Sequence, residues 1–235
     1  NSFIKKNQKR IVFADGEDEN TLKAAIAFKN SKLGIPILVG KESKIKEQIR
    51  NIGYNENFDI EIINSKDEEK RKKYLKHLFE KLQREQGLLE RDCDRLLRND
   101  RVIWATSMVA CGDADGAVTG NTRRFGASLE KIKQVVDVRK GEIMFGLNMV
   151  VHKGKTIFIG DTSVHEYPTS EEMAEIAIST ARVVRLFGFE PKVAFVSHST
   201  FGQPLTSRTK HIRKAVDILK EKKVDFKFDG DMQPD

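Results

Sequence analysis

Residues 10–40 read RIVFADGEDENTLKAAIAFKNSKLGIPILVG. The apolar run Ile11–Ala14 predicts a short strand. The acids of DGEDENT suit the start of a helix, where they cap free amides and meet the positive end of its dipole. That helix runs through about Lys29, and GIPILVG then reads as another buried strand. Strand, helix and strand in immediate succession are the rhythm of an α/β protein with a mainly parallel sheet.

Working outward, the block KDEEKRKKYLKHLFEKLQREQG (66–87) predicts a helix whose alternating charges form a solvated face. Further helices are expected near Val102–Cys111 and over Ser128–Val136. The clearest lies between Thr169 and Gly188. Thr169 and Glu172 form a capping box, and Met173, Ile176, Ala177, Thr180, Val184 and Phe187 share one face. Gly188 suits a left-handed C-terminal cap. A strand at Val193–Val196 follows Pro191. Ile212, Ala215, Val216 and Leu219 recur at helical spacing, and VDFKF (224–228) reads as a closing, alternating strand. Two α/β lobes are expected, residues 1–145 and 146–235, with a soft boundary near Gly141–Gly146.

Composition narrows the function. The 235 residues are 39% hydrophobic and 33% charged, with a formal net charge of +7. No uninterrupted apolar run approaches the ~18 residues of a membrane span, so a soluble protein is expected. Cys93 and Cys111 have no metal-type or redox spacing, which favours a reduced, cytoplasmic setting. The chain begins at Asn1 without an initiator Met and reads as a piece of a longer one, so a missing leader says little about location. The basic surplus asks for an anionic partner. Aromatic residues do not interleave with the basic ones as a single-strand nucleic-acid binder needs, whereas a phosphorylated small molecule accounts for the charge.

Three motif matches fail on spacing. GKT at Gly154–Thr156 lacks the upstream glycine of a P-loop, since Met149 stands there. DADG at Asp113–Gly116 would put the sharp-turn glycine of a calcium loop at Val118. VSHSTF lacks the glycines of a nucleophile elbow. No His/Cys or His/Glu cluster supports a metal site.

What remains is VAFVSHSTFGQP (193–204), a strand that breaks into hydroxyls, a histidine and a glycine. It could be a nucleophile beside its base, an anion cradle or an ordinary turn. Ser197 and His198 are adjacent and would point to opposite faces of an extended chain, which disfavours a catalytic dyad. Ligands of parallel α/β sheets bind beyond the carboxyl ends of strands. A loop with Ser197, Ser199, Thr200 and Gly202 offers donors and close backbone approach there. TGNT at Thr119–Thr122 has the same make-up after the strand-like GAVTG. Arg123 and Arg124 stand beside it, and their planar forks suit phosphate.

GDADGAVTGNT (112–122), EPKVAFVSHSTFG (190–202), FDGDMQPD (228–235) and KRIVFADGEDENTLKAA (9–25), in that chain context, resemble elements of the phosphate acetyl/butyryltransferase family over nearly the whole chain. Within it, IGDTSVHEYPTSEEMAEIA (159–177) and VVRLFGFEPKVAFVSHSTFG (183–202) are most similar to the C-terminal transferase-like domain of bacterial NADP-dependent malic enzymes. The resemblance implies an isocitrate-dehydrogenase-like architecture, C-terminally incomplete, with two lobes around a cleft and a homo-oligomeric assembly. It implies an N-terminal malic domain in the same chain that oxidatively decarboxylates malate to pyruvate, with NADP and a divalent metal bound there and no cofactor here. It places Gly120, Asn121 and Thr122 of one lobe on an acyl-CoA or acyl phosphate, beside Thr119, Arg123 and Arg124, which the loop's own make-up adds as candidate phosphate contacts. From the other lobe it places Ser197, His198, Ser199, Thr200 and Gly202, and it assigns no catalytic residue.

Two departures bear on activity. Glu130 stands where family transferases carry an arginine in the helix after the first loop, and a carboxylate there repels phosphate by about 1 kcal/mol or more. The family's further Ser–Arg pair and Asp lie beyond Asp235. The resemblance therefore implies a domain that keeps ligand binding as a regulatory site. The alternative is a competent phosphate acetyltransferase converting acetyl-CoA and phosphate into acetyl phosphate and CoA.

Overall fold

The computed structural model describes residues 7–55, 58–64, 67–201 and 203–234. Its contacts fall into two units, Asn1–Asp137 and Val138–Asp235. The division comes earlier than composition suggested. Residues on the far side of it are tied to the second unit: Glu142 accepts from Arg182, and the Gly146 amide donates to Asp161.

In the first unit, β1 (Lys9–Phe13), β2 (Gly34–Val39), β3 (Glu61–Ile63) and β4 (Gly116–Val118) form a parallel sheet in the order β3-β2-β1-β4. Val12 is in register with Ile37 on one side and Ala117 on the other. The expected helix between β1 and β2 is α1 (Glu19–Asn30), and its N-cap, Asp18, accepts the Thr21 amide at 2.9 Å. Alternation along the strands splits the core between the two faces. Phe13 and Leu38 pack with Leu22, Ala25 and Ile26 of α1 and with Ile45 and Ile49 of α2 (Glu42–Asn51). Val12, Ile37 and Val39 pack on the other face with α3 (Glu68–Gln86), α4 (Glu90–Asn99) and α5 (Arg101–Ala110).

The charged block thus becomes one helix, α3. α3 stops at Gly87, whose φ of +66° takes the left-handed cap. Its charges are only part of its character, because Tyr74, Leu78 and Leu82 are fully buried, with Tyr74 edge-on to Trp104 at 5.1 Å. Even Lys81 is buried, its ammonium paired with Asp137 and with Glu85. The helix expected from Ser128 begins earlier, as α6 (Phe125–Val135), directly after the Arg123–Arg124 pair.

In the second unit, β5 (Leu147–His152) and β6 (Lys155–Gly160) form an antiparallel hairpin. Its two-residue turn, Lys153 and Gly154, has φ of +46° and +76°, the primed geometry that matches strand twist. The rejected GKT stretch is therefore a hairpin turn. Next, α7 (Ser170–Leu186) starts with the Thr169/Glu172 capping box, and Gly188 has φ of +82° beyond its end. Its inward face is shifted from the sequence reading: Ala174, Ile176, Ala177, Ala181 and Val184 are buried, while Phe187 is exposed.

β7 (Lys192–Val196) and β8 (Lys227–Met232) pair in parallel through α8 (Ser207–Glu221), and Leu219 and Phe226 pack with the alanines of α7. The closing strand is KFDGDM rather than VDFKF. Val224 is still in the helix-ending turn, its amide bonded to Leu219, and Phe226 is buried in the core. The pairing continues instead into Gly230, where a Cβ would come within 2.7 Å of the Phe195 side chain.

Candidate functional site

Because β1 and β4 are parallel neighbours, the turns that follow them leave the same edge of the sheet. The β1 turn, Asp15–Asp18, is acidic. Gly16 permits its tight course, since a Cβ there would lie 2.9 Å from the Val39 carbonyl oxygen. The TGNT turn meets it directly. Thr122 Oγ1 donates to Asp15 Oδ1 at 2.7 Å, and Asn121 Nδ2 donates to Asp18 Oδ1 at 2.6 Å. The expected anion donors are thus engaged with the protein's own carboxylates.

Asp15 is nearly fully buried, and its Oδ2 and the Thr119 hydroxyl are buried without hydrogen-bond partners. Burial alone would raise the carboxyl of neighbouring Glu17, but the Lys41 amide and the Arg101 guanidinium outweigh it and hold that carboxyl low. Arg123 is committed to Asp100 at 2.8 Å, and Asp100 caps α5 through the Val102 amide. Arg124 is exposed and makes no ion pair among the described residues. Gly120 has φ of +105°, a backbone state that suits glycine. Glu130 is exposed on α6.

In the second unit, the turn after β7 is internally bonded. The Ser197 amide donates to the Met232 carbonyl, and the Ser199 amide donates to Ser197 Oγ at 3.0 Å. The two serine hydroxyls lie 3.1 Å apart, and the Ser199 hydroxyl donates to Asp231. Ser199 and Asp231 are both fully buried. His198 is exposed, and its carbonyl accepts from Gln233. Thr200 and Gln203 bond each other's main chains, and Gly202 lies outside the described residues. Among the described residues no hydrogen bond joins a serine to the His198 ring. The turn is a hydroxyl chain ending on a buried carboxylate.

Sequence reasoning missed three features here. It assigned no role to Asp231, although it quoted the FDGDMQPD stretch. It did not pair Asp15 and Asp18 with residues more than a hundred positions away. It also missed the cage around Asp161 at the end of β6. The Asp161 carboxylate accepts from the amides of Gly146, Ser163, Val164 and His165 at 2.8–3.1 Å and from the His165 ring at 2.7 Å. Burial opposes its ionisation, but the Ser163 amide, the His165 ring and the other amides prevail and bring the carboxyl down to about 2. Arg208, on the first turn of α8, lies over the Tyr167 ring at 4.8 Å. Among the described residues no group of His, Cys, Asp and Glu is arranged to hold a metal ion, and no helix is long and apolar enough to cross a membrane.

Parallel strands, helices on both sheet faces in the first unit and polar turns at strand ends define an α/β protein of the kind that takes ligands beyond its strand ends. The model of the family described as phosphate acetyl/butaryl transferase matches residues 2–235, and the chain belongs to that family. It is 40% identical over 233 residues to the NADP-dependent malic enzyme of Rhizobium meliloti (strain 1021), covering 99% of this chain and 30% of that one. It is 32% identical over 243 residues to the phosphate acetyltransferase of Clostridium acetobutylicum, covering 98% of this chain and 71% of the relative. A crystal structure of a phosphotransacetylase from Streptococcus pyogenes superposes with a TM-score of 0.87 at 26% identity, over 99% of this chain and 70% of that one. The chain thus spans about 30% of the length of the malic enzymes it matches.

Proposed function

We propose that this chain is the transferase-like domain of a longer, cytoplasmic NADP-dependent malic enzyme and holds an acyl-CoA or acyl phosphate as an effector. The carrying observation is its 40% identity to a malic enzyme over nearly its whole length while spanning 30% of that relative. In this reading malate oxidation belongs to a separate N-terminal domain of the same polypeptide, with its own NADP and divalent metal, in a homo-oligomer. The ligand's anionic groups would meet the exposed Arg124 and the Gly120 backbone of the first unit.

Loss of turnover has physical support. Transfer of an acyl group from phosphate to the coenzyme A thiol needs charge stabilisation on the departing phosphate. Arg123 is already neutralised by Asp100, Asn121 and Thr122 face carboxylates, and α6 presents Glu130. A competent phosphate acetyltransferase is the second reading, favoured by the 71% coverage of the clostridial transferase.

The full-length protein separates the two. Acetyl-CoA is expected to shift the half-saturating malate concentration of NADP reduction by about 5–150-fold, the usual range of allosteric coupling. Coenzyme A release from acetyl-CoA and phosphate should stay at background. Steady phosphate-dependent release would establish the second reading, and an unshifted malate curve would remove the effector role.

A further inference from the structure

Three consecutive side chains of the turn after β4 are each held by a carboxylate rooted in a different element. Asn121 donates to Asp18 at 2.6 Å, Thr122 to Asp15 at 2.7 Å and Arg123 to Asp100 at 2.8 Å. Asp18 caps α1, Asp100 caps α5, and Asp15 stands just beyond the end of β1. The main chain shows the opposite pattern. Among the described residues, the amides of Gly120, Asn121 and Thr122 make no hydrogen bond. Gly120 has φ of +105°, and a Cβ built on it would meet nothing within 4 Å. The turn commits its side chains to the protein and leaves three successive N–H groups uncommitted, the make-up of an anion-binding nest.

Folding alone does not account for Asp15. The residue is 3% exposed, and its Oδ2 is buried without a partner. Among the described residues the only group its carboxylate holds is the Thr122 hydroxyl. A buried carboxylate left half satisfied is destabilising. Exchanging buried charge for an apolar group of similar volume is often neutral or stabilising. Stability given up in this way is characteristic of groups retained for function.

We propose, on the reading that this turn holds an acyl-CoA or acyl phosphate, that Asp15 and Asp18 are positioning residues. By pinning Thr122 and Asn121 they fix the turn so that its main-chain amides, and not its hydroxyl and carboxamide, take the ligand's anionic group. The shape is set before the ligand arrives, which spares the ordering cost of a loose turn. The two acids then act with an unexpected sign. Carboxylates repel an anion and compete with it for donors, so removing them tightens binding where the side chains are the ligand's contacts. Removing them weakens binding where the amides are.

Calorimetric titration of acetyl-CoA into the wild-type chain, Asp15→Leu, Thr122→Val and the double variant tests this. Each single change is expected to weaken binding about tenfold, the effect of roughly one lost charge-assisted contact. The double variant should bind no worse than either single one, because both break the same contact. Asp15→Asn keeps an acceptor for Thr122 and should retain most of the affinity. Asp18→Ser keeps a capping oxygen for α1 but shortens the reach to Asn121, and should weaken binding like Asp15→Leu. The thermal midpoint of Asp15→Leu should be unchanged or higher. Without ligand, backbone 15N order parameters of residues 120–122 should fall from about 0.85 to below about 0.6 in Asp15→Leu and in Thr122→Val. Thr122 is exposed, so its variant gives this reading without touching the interior, and unchanged order parameters there would overturn the positioning role. Unchanged or tighter acetyl-CoA binding by Asp15→Leu would overturn the positioning role while leaving the acyl-ligand reading standing. Absence of binding by the wild-type chain would overturn that reading and this role with it.

Discussion

Asp161→Asn is expected to lower the thermal midpoint of the second unit by about 10–20 °C, equivalent to roughly 2–3 kcal/mol in a domain of this size. The side chain is 3% exposed and its two oxygens accept from four amides and an imidazole. An asparagine offers one acceptor oxygen and turns an NH2 group towards donors, so at least one buried amide loses its partner. The sign of the pH dependence follows from the depressed carboxyl. Its contribution is complete above the ordinary value of 3.8 and is lost as pH falls towards about 2. The gap in stability between wild type and variant should therefore be constant near neutrality and shrink by about 2 kcal/mol between pH 4 and pH 2. Hydrogen exchange of α7 amides reads this unit separately, since the single tryptophan, Trp104, lies in the other. A gap that is the same at pH 2 and pH 6 would show that the cage does not stabilise the ionised form.

The serine turn carries the second large effect. Ser199→Ala is expected to cost about 3 kcal/mol, because it strips a hydroxyl donor from a buried carboxylate. Asp231→Ala should cost at least as much by removing the other end of the same contact. The double variant should lose less than the sum, by about 1 kcal/mol or more, as expected for residues in direct contact. Urea midpoints of the four proteins complete the cycle. Strict additivity would mean that Ser199 and Asp231 are independent, and the turn would lose its rigid anchor.

How much of this was legible in the sequence depended on the range of the interactions. Asp18 capping α1 and the Thr169/Glu172 box are contacts across three residues, and both were readable because residue type and spacing suffice. The β5–β6 hairpin is not legible in the sequence: its turn is Lys-Gly, a weaker signal than Asn-Gly, and lies within the GKT stretch that resembles an incomplete phosphate loop. β8 was misplaced because VDFKF alternates while KFDGDM does not. Its aspartate at 231 is buried for the sake of Ser199, a partner 32 positions away. The same limit explains the loops. TGNT was legible as polar and glycine-rich, but Asp15 and Asp18, which occupy its donors, become neighbours only when β1 and β4 pair. Composition gave the donors, and topology chose their partners.

The central claim is that these strand-end turns hold an anionic acyl ligand. Calorimetric titration of acetyl-CoA into the 235-residue chain tests it most directly. Saturable binding is expected, weakened about tenfold by Arg124→Ala, the loss of roughly one charge-assisted contact, and left unchanged by Lys72→Ala, an exposed lysine of α3. Absence of binding, or an affinity indifferent to Arg124, would contradict the account.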